Sequence, residues 1–343
     1  MTTLIDLQPP GSSPEPGDDK TPRKIPRSLS RADRIFRWST TGIGAVVLVI
    51  TGAIAAFLGY QLIPTLHHYG LHFFTENLWQ PQSNVLGIEQ VLIGTVEVAI
   101  IAIIFAFPLA LLTALYISEY APSWLRGFLT PMVDLMAAIP SILYAMWGVF
   151  LINPHALYVA RWLNEYFGWI PVFHVSGGQP RAAVFVLSLY QSSPFIAGMV
   201  VSMMIIPIAC AVMLGVFGQA PLSEREGAYA LGSTRWGMIR AVVLPFGRGG
   251  IVGGTMLGLG RALGETIAVT LILSLNTDVK FRPLEEGGVT TAQLIANYFG
   301  EATSAQLSAL LAAGFVLFAM AIFVNTIAAI IVSRSRSGAL TEI

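Results

Sequence analysis

The chain has 343 residues, of which 55% are hydrophobic and only 11% charged, against about 25% charged residues in an ordinary soluble domain. So few charges over such a length mean that most of the surface does not meet water, and a basic nucleic-acid binder is excluded for the body of the chain. The zero net charge averages a basic N-terminal tail with a nearly uncharged remainder, and the single Cys210 excludes an internal disulfide and a cysteine zinc cluster.

In chain order, residues 1–40 form a basic, proline-rich tail. Pro9, Pro10, Pro14, Pro16, Pro22 and Pro26 interrupt any helix, and apolar residues are too sparse to build a core, so 1–30 read as disordered. The apolar run 41–63 is too long for a secretory signal and reads as a retained first span. His67, His68 and His72 fall in the first outer loop. With no acidic or Cys companions they read as solvent-facing side chains rather than as metal ligands. Further apolar runs lie at 91–115, 132–152, 183–206, 249–275 and 308–332, each able to cross about 30 Å at about 1.5 Å per residue. Trp162, Tyr166, Phe167 and Trp169, in the second outer loop, read as interfacial anchors. The fourth run stays apolar to Phe217 with Pro194 and Pro207 inside it, which predicts a kinked or broken helix.

The basic residues orient these six spans. With the N-terminus inside, fourteen of the nineteen Lys and Arg lie on the cytoplasmic side, among them Arg126, Arg225, Arg235, Arg240 and Arg248. Four (Arg161, Arg181, Lys280, Arg282) lie outside and Arg261 is within a span, so the positive-inside rule places both termini in the cytoplasm. The expected organisation is a tail (1–40), a six-helix all-α integral membrane domain (41–335) and a cytoplasmic tail (336–343).

The longest cytoplasmic loop, 221–245, separates spans four and five. Ser223 and Glu226 have capping-box spacing, which predicts a helix starting there, and Gly232 suits its C-terminal stop. A second short helix is expected from Ser233 or Thr234, with Trp236, Ile239 and Val243 on one face and Pro245 ending it. By pattern alone this is either an amphipathic hairpin anchored to lipid or a docking element. Glu226, Gly227, Ala228, Gly232, Val242, Leu244 and Pro245 fall at the spacing of the EAA signature, Glu-Ala-Ala, three residues, Gly, nine residues, Ile, one residue, Leu-Pro. The loop therefore resembles the coupling element of ABC-importer permeases, departing from it at Gly227 for Ala and Val242 for Ile. The resemblance implies a type I importer (MetI-like) permease fold whose coupling helix sits in a groove of a separate ATPase. None of the three lysines follows a glycine, so the chain carries no phosphate-cradling P-loop. ATP and Mg are expected on a partner subunit, with no cofactor in this chain and no enzymatic activity of its own.

The fifth span carries Arg261 and Glu265, four residues apart and hence predicted on one helical face, close enough to pair. One Arg costs about 2.5–3.5 kcal/mol at the centre of a span, so the pair is either a packing salt bridge or a site. As a site, the planar fork of Arg261 matches a tetrahedral oxyanion, and an adjacent carboxylate favours one still carrying a proton, which points to phosphate over sulfate. Gly250, Gly254 and Gly258 repeat every four residues, a small-residue face for close helix packing, expected at the seam with a second permease, with an internal seam as the alternative.

The run containing Gly258, Gly260, Arg261, Gly264, Glu265 and Thr266, together with 137–150, Gly94, Thr95 and 117–126, resembles the permeases of the phosphate-specific ABC importer, and its C-type rather than its A-type subunit. The likeness covers about 85–335 and departs at Asp134, where a Glu is expected. It implies that Arg261 and Glu265 take part in phosphate translocation in a bacterial cytoplasmic membrane. It also implies as partners a homologous A-type permease, two ATPase copies and an extracytoplasmic phosphate-binding protein. The alternatives are the same architecture carrying sulfate, molybdate or a phosphonate, and a membrane anion sensor. An intramembrane enzyme lacks support, since the chain has neither a His-Glu-x-x-His nor a Gly-x-Ser-x-Gly motif.

Overall fold

The computed structural model describes residues 30–335 except 84, 179–185 and 276–280. Ser30 apart, the expectation for 1–30 falls outside the described residues, as do Lys20, Arg23, Lys24, Arg27, Arg181, Lys280, Arg336 and the 336–343 tail. The chain divides into two compact units, 1–53 and 54–343. In the first, helix α1 (Arg31–Tyr69) starts where the Ser30 hydroxyl accepts the Asp33 amide at 3.1 Å. Residues 31–40, expected in the tail, are therefore helical, and the side chains of residues 31–50 are all exposed. That exposure suits a helix bathed in lipid.

The second unit begins within α1, which runs through His67 and His68; those two histidines belong to its last turn, not to a loop, and His72 opens α2 (His72–Thr75). A two-residue antiparallel ribbon, β1 (Trp79–Gln80) with β2 (Val85–Leu86), precedes α3 (Glu89–Leu115), which continues through a π-turn over Tyr116–Tyr120. Helix α4 (Ser123–Ala138) is followed by α5 (Ser141–Trp147), a π-turn over Gly148–Ile152 and α6 (Asn153–Phe167). Then come α7 (Pro194–Phe217), α8 (Leu222–Ala230), α9 (Arg235–Met238), a π-turn over Ile239–Val243 and α10 (Leu244–Leu263). The unit closes with α11 (Ile267–Ile272), α12 (Thr291–Tyr298) and α13 (Ser304–Ser335).

Among the described residues six helical stretches are long and apolar enough to cross a membrane, as expected, but three are displaced. The third runs Ser141–Phe167 rather than 132–152. Pro140 lacks an amide hydrogen and forces Ile139 into an extended conformation (ψ 131°), which ends α4 and starts a new helix. Trp162, Tyr166 and Phe167 are thus the exposed end of α6 rather than loop residues, with Trp162 and Tyr166 rings 5.4 Å apart. The fourth stretch is Pro194–Phe217 rather than 183–206, because Pro194 sits in the first turn, where its missing donor costs nothing. The fifth is Arg235–Leu263 rather than 249–275, starting within the 221–245 loop and stopping short of Glu265.

The core centres on α7. Against one side lie Ala102, Ala106, Ala110 and Ala114 of α3, all fully buried at intervals of four. Against the other lie Gly250, Gly254 and Gly258 of α10. A Cβ on Gly250 would run into Val216, one on Gly258 into Ile205, and one on Gly254 would stand 2.9 Å from the Ala209 carbonyl oxygen. The glycine stripe is therefore an internal seam with α7, not the seam expected with a second permease; it faces a neighbour already covalently attached. Elsewhere α12 meets α3, where the Thr95 hydroxyl accepts the Thr291 amide at 2.9 Å, and the end of α11, where the Gln293 side-chain amide donates to the Leu273 carbonyl at 3.3 Å.

Two glycines of one helix should therefore respond oppositely. Gly254→Val drives a branched side chain into the Ala209 carbonyl and should destabilise the detergent-solubilised chain by about 1–3 kcal/mol. Gly253→Ala, whose Cβ meets nothing within 4 Å, should be neutral or gain about 0.8–1.0 kcal/mol of helix propensity. Thermal unfolding of the two variants checks this.

Candidate functional site

The loop expected to dock an ATPase folds as two helices around a glycine turn. The first, α8, starts two residues before the expected position, with Pro221 as its N-cap and no side-chain cap. Ser223 and Glu226 lie inside the helix, so their capping box does not form; the fixed backbone of Pro221 initiates the turn instead. The end is as expected. Gly232 adopts φ +81°, its amide donates to the Tyr229 carbonyl at 2.9 Å, and the Ser233 amide donates to the Ala228 carbonyl at 3.1 Å, the two bonds of a Schellman motif. Thr234 then caps α9, accepting the Gly237 amide at 3.2 Å.

Pro245 does not end the second helix. The π-turn over Ile239–Val243 carries the chain into α10, with Leu244 and Pro245 in its first turn. The widened turn takes up the clash and the lost donor that a proline imposes within an α-helix. Ile239 and Val243 are buried in the core, whereas Trp236, expected on their face, is more than half exposed. Glu226, Gly227 and Pro245 are exposed, and Ala228 and Leu244 are half-buried. No neighbour comes within 4 Å of a Cβ on Gly227, so nothing steric prevents the alanine of the EAA signature there. Leu222, Tyr229, Leu231 and Trp236 project into solvent, Leu231 at 89% exposure, and form an apolar rim on the two helices.

An anchor that the sequence analysis did not identify fixes this loop to the second span. The π-turn after α3 presents Glu119, whose side chain is only 4% exposed. Its Oε2 accepts Arg225 Nη1 of α8 at 3.0 Å, and its Oε1 accepts the Ser118 hydroxyl at 2.7 Å. Arg225 Nη2 also donates to the Phe217 carbonyl at 2.6 Å, closing the end of α7. One guanidinium thus ties α8 to two spans. Arg126 of α4 donates to the carbonyls of Ile117 and Ser118, bracing the same π-turn, and the Arg235 guanidinium lies 5.2 Å from the centre of the Tyr120 ring. Asp134, exposed on α4, lines with Arg126 and Thr130 a cavity of about 280 Å³ against α7. The available signal was a lone Glu directly after an apolar run, but its partner lies 106 residues away.

At the other end of α10, Arg261 and Glu265 are not joined as expected. The helix stops at Leu263, Gly264 is its C-cap, and the chain turns before α11 begins. That break removes the four-residue geometry on which the pairing depended, and among the described residues no ion pair links the two. Glu265 is buried instead, its Oε1 accepting the Ala268 amide at 3.1 Å in the first turn of α11. Arg261 is exposed in the last turn of α10, beside the exposed Leu257 and Gly264, and Tyr144 of α5 is buried. Tyr144 is itself held by donating to the Met136 carbonyl at 2.8 Å. Among the described residues no three His, Cys, Asp or Glu gather as a metal site.

Because Glu119 is buried with its charge matched by Arg225, removing one partner should cost more than removing both. Arg225→Met should destabilise by about 3–5 kcal/mol, and Arg225→Met combined with Glu119→Leu should recover most of that. A double-mutant cycle read by thermal unfolding measures the difference.

Residues 106–337 match the family of binding-protein-dependent transport system inner membrane components. The chain is 37% identical over 321 residues to "Phosphate transport system permease protein PstC" of Xylella fastidiosa, covering 93% of this chain and 96% of that protein. It is 35% identical over 316 residues to "Phosphate transport system permease protein PstC 2" of Mycobacterium tuberculosis, covering 91% and 95% respectively. In structure it resembles a chain of a bacterial ABC transporter involved in the import of the acidic polysaccharide alginate, with a TM-score of 0.56 at 18% identity, over 90% of this chain and 97% of that one. That likeness speaks for the fold alone. The share of the chain matched and the identity to these relatives show that the chain belongs to the binding-protein-dependent transport system inner membrane component family, the permeases of ABC importers.

Proposed function

We propose that this chain is the C-type permease of an ATP-driven inorganic phosphate importer, forming half of the pathway with a homologous A-type permease. Support for the substrate comes from the named phosphate permeases to which it is 35–37% identical over more than nine-tenths of its length. The observation in the structure that carries the reading is Arg261. Its guanidinium has no hydrogen-bond or ion-pair partner among the described residues and lies exposed where the fifth span breaks. A free planar fork at a helix break in the membrane is suited to a tetrahedral oxyanion. Glu265 then acts through the backbone: by bonding to the Ala268 amide it fixes the break that leaves Arg261 at a helix end.

In this reading both termini face the cytoplasm and an extracytoplasmic phosphate-binding protein delivers the anion. Two copies of an ATPase subunit, holding ATP and Mg, dock on the 221–245 loop, since the chain has no P-loop of its own. The apolar rim of Leu222, Tyr229, Leu231 and Trp236 is the part of the loop free to enter a groove on that ATPase. The force it receives reaches α3 through the Arg225–Glu119 pair and reaches Arg261 along the continuous rod from Arg235 to Leu263.

Arg261→Ala should abolish phosphate uptake by the reconstituted transporter with assembly intact, and Arg261→Lys, which keeps the charge but loses the fork, should restore only part of it. Normal uptake by the alanine variant would refute the assigned role, and competition by sulfate as strong as by phosphate would reassign the substrate. A second outcome concerns docking. Gly232→Val forces a branched residue into a left-handed conformation at a cost of about 1–2 kcal/mol and should lower the ATPase that co-purifies, whereas Gly232→Asn should not.

A further inference from the structure

Glu97, on the second span, takes no part in the coupling loop or in the break near Arg261. It lies two turns into α3, half-buried, and no hydrogen bond or ion pair reaches its carboxylate among the described residues. An ionisable side chain in a span without a partner of its own is costly to hold there and signals a ligand or partner. Glu97 opens into a cavity of about 480 Å³ whose other walls are apolar, among them Ile104, Phe105, Phe173, Phe195 and Leu284. A second cavity of about 450 Å³ adjoins it at Phe105 and continues along α3 to Leu109, between α6 and α7. The polar side chains on that continuation are satisfied within their own helices: Ser202 donates to the Met199 carbonyl and His155 Nδ1 lies 2.7 Å from the Leu151 carbonyl. The two cavities share Phe105 and lie in line along α3, α6 and α7, and Glu97 is the one carboxylate among their lining residues.

The dimensions of this groove match one leaflet. From Glu97 to Leu109 the groove follows twelve residues of helix, about 18 Å at about 1.5 Å per residue, against about 15 Å for half of a hydrocarbon layer of about 30 Å. The span Glu89–Tyr120 has 32 residues, about 48 Å in length, so a centred helix extends about 9 Å beyond the hydrocarbon at each end. Glu97, about 12 Å from the start, then lies at the boundary between headgroups and acyl chains. Leu163 of α6 lines the same cavity beside Trp162 and Tyr166, the exposed aromatic pair that marks this interface. Because Glu119, at the other end of the span, holds the coupling loop, the groove occupies the leaflet opposite that loop.

The geometry points to a bound aminophospholipid, its acyl chain lying in the groove along α3 and its primary ammonium donating to the Glu97 carboxylate. The choice of headgroup follows from charge and donors. An anionic headgroup is repelled by the carboxylate, and a trimethylammonium headgroup has no N–H to donate, whereas a primary ammonium forms a charge-assisted hydrogen bond that discharges the cost of Glu97. The inference requires only that the chain sits in a bilayer and is independent of the anion transported.

The test uses the intact transporter, purified with its co-assembling subunits from vesicles of equal parts phosphatidylethanolamine, phosphatidylcholine and phosphatidylglycerol. Retained lipids are quantified by mass spectrometry after detergent exchange. Wild type should retain phosphatidylethanolamine in preference to the other two, and Glu97→Gln should lose that preference by about tenfold, or ~1.4 kcal/mol. Ile104→Trp, which fills the groove and leaves the carboxylate intact, should lower retained lipid of all three kinds. Equal retention of the three lipids by wild type, or an unchanged preference in Glu97→Gln, would overturn the assignment. So would a wild type without bound aminolipid whose Glu97→Gln form sheds another subunit, since the carboxylate would then serve a protein contact. If Glu97→Gln does not assemble, the wild-type preference for phosphatidylethanolamine and the fall of all three lipids in Ile104→Trp decide the matter, and an unchanged lipid content in Ile104→Trp overturns the assignment.

Discussion

Helix α7 is held from two sides by residues too small to keep their helices at a distance: the alanine stripe of α3 and the glycine stripe of α10. In a bilayer no hydrophobic force drives helices together, so close backbone approach and the dispersion contacts it allows must do that work. The positions of the other functional parts follow from this sandwich. Glu119 is carried at one end of α3, Arg225 begins just beyond the end of α7, and Arg261 sits at the far end of α10. Ion pair and helix break both inherit their geometry from three helices that pack as one body.

The π-turns give that body its irregularities where they are needed. At Tyr116–Tyr120 the widened turn brings Glu119 to α8, and at Ile239–Val243 it lets a helix run through Pro245 without interruption. The second has a mechanical effect. Arg235 to Leu263 is one helical stretch of 29 residues, about 43 Å long, with the loop rim at one end and at the other a guanidinium that has no partner among the described residues. The break comes only after Arg261, where Gly264 and the Glu265 cap separate α10 from α11.

Much of this was legible in the sequence. Hydropathy gave the number of spans, and the EAA spacing gave the loop, because both depend on short-range patterns. Gly232 was legible as a C-cap because a left-handed turn needs its missing Cβ. The errors share a cause. Pro140 split an apolar run that a hydropathy window averages into one span, and Pro245 failed to stop a helix because a π-turn absorbed it. The expected Arg261–Glu265 pair assumed helix between them, where Gly264 and Thr266 were the only sign of a break. The Glu119–Arg225 contact joins residues 106 positions apart, and no local pattern reports such a contact. The glycine stripe was recognised as a packing face, but a periodicity does not say which helix it will meet.

The burial of that ion pair has a consequence for ionic strength. Mobile ions screen exposed charges over about 8 Å at physiological salt, and reach buried pairs far less. The charges on the solvent side of the loop, Glu224, Glu226 and Arg240, stand in the screened region, whereas Glu119 is enclosed by protein. Rising salt therefore weakens any polar contact that a subunit proposed to dock here makes with those exposed charges before it loosens the loop from its own spans. If an ATPase docks on this loop as proposed, a transporter stripped of it in this way would keep the loop already shaped for re-docking when the salt is removed.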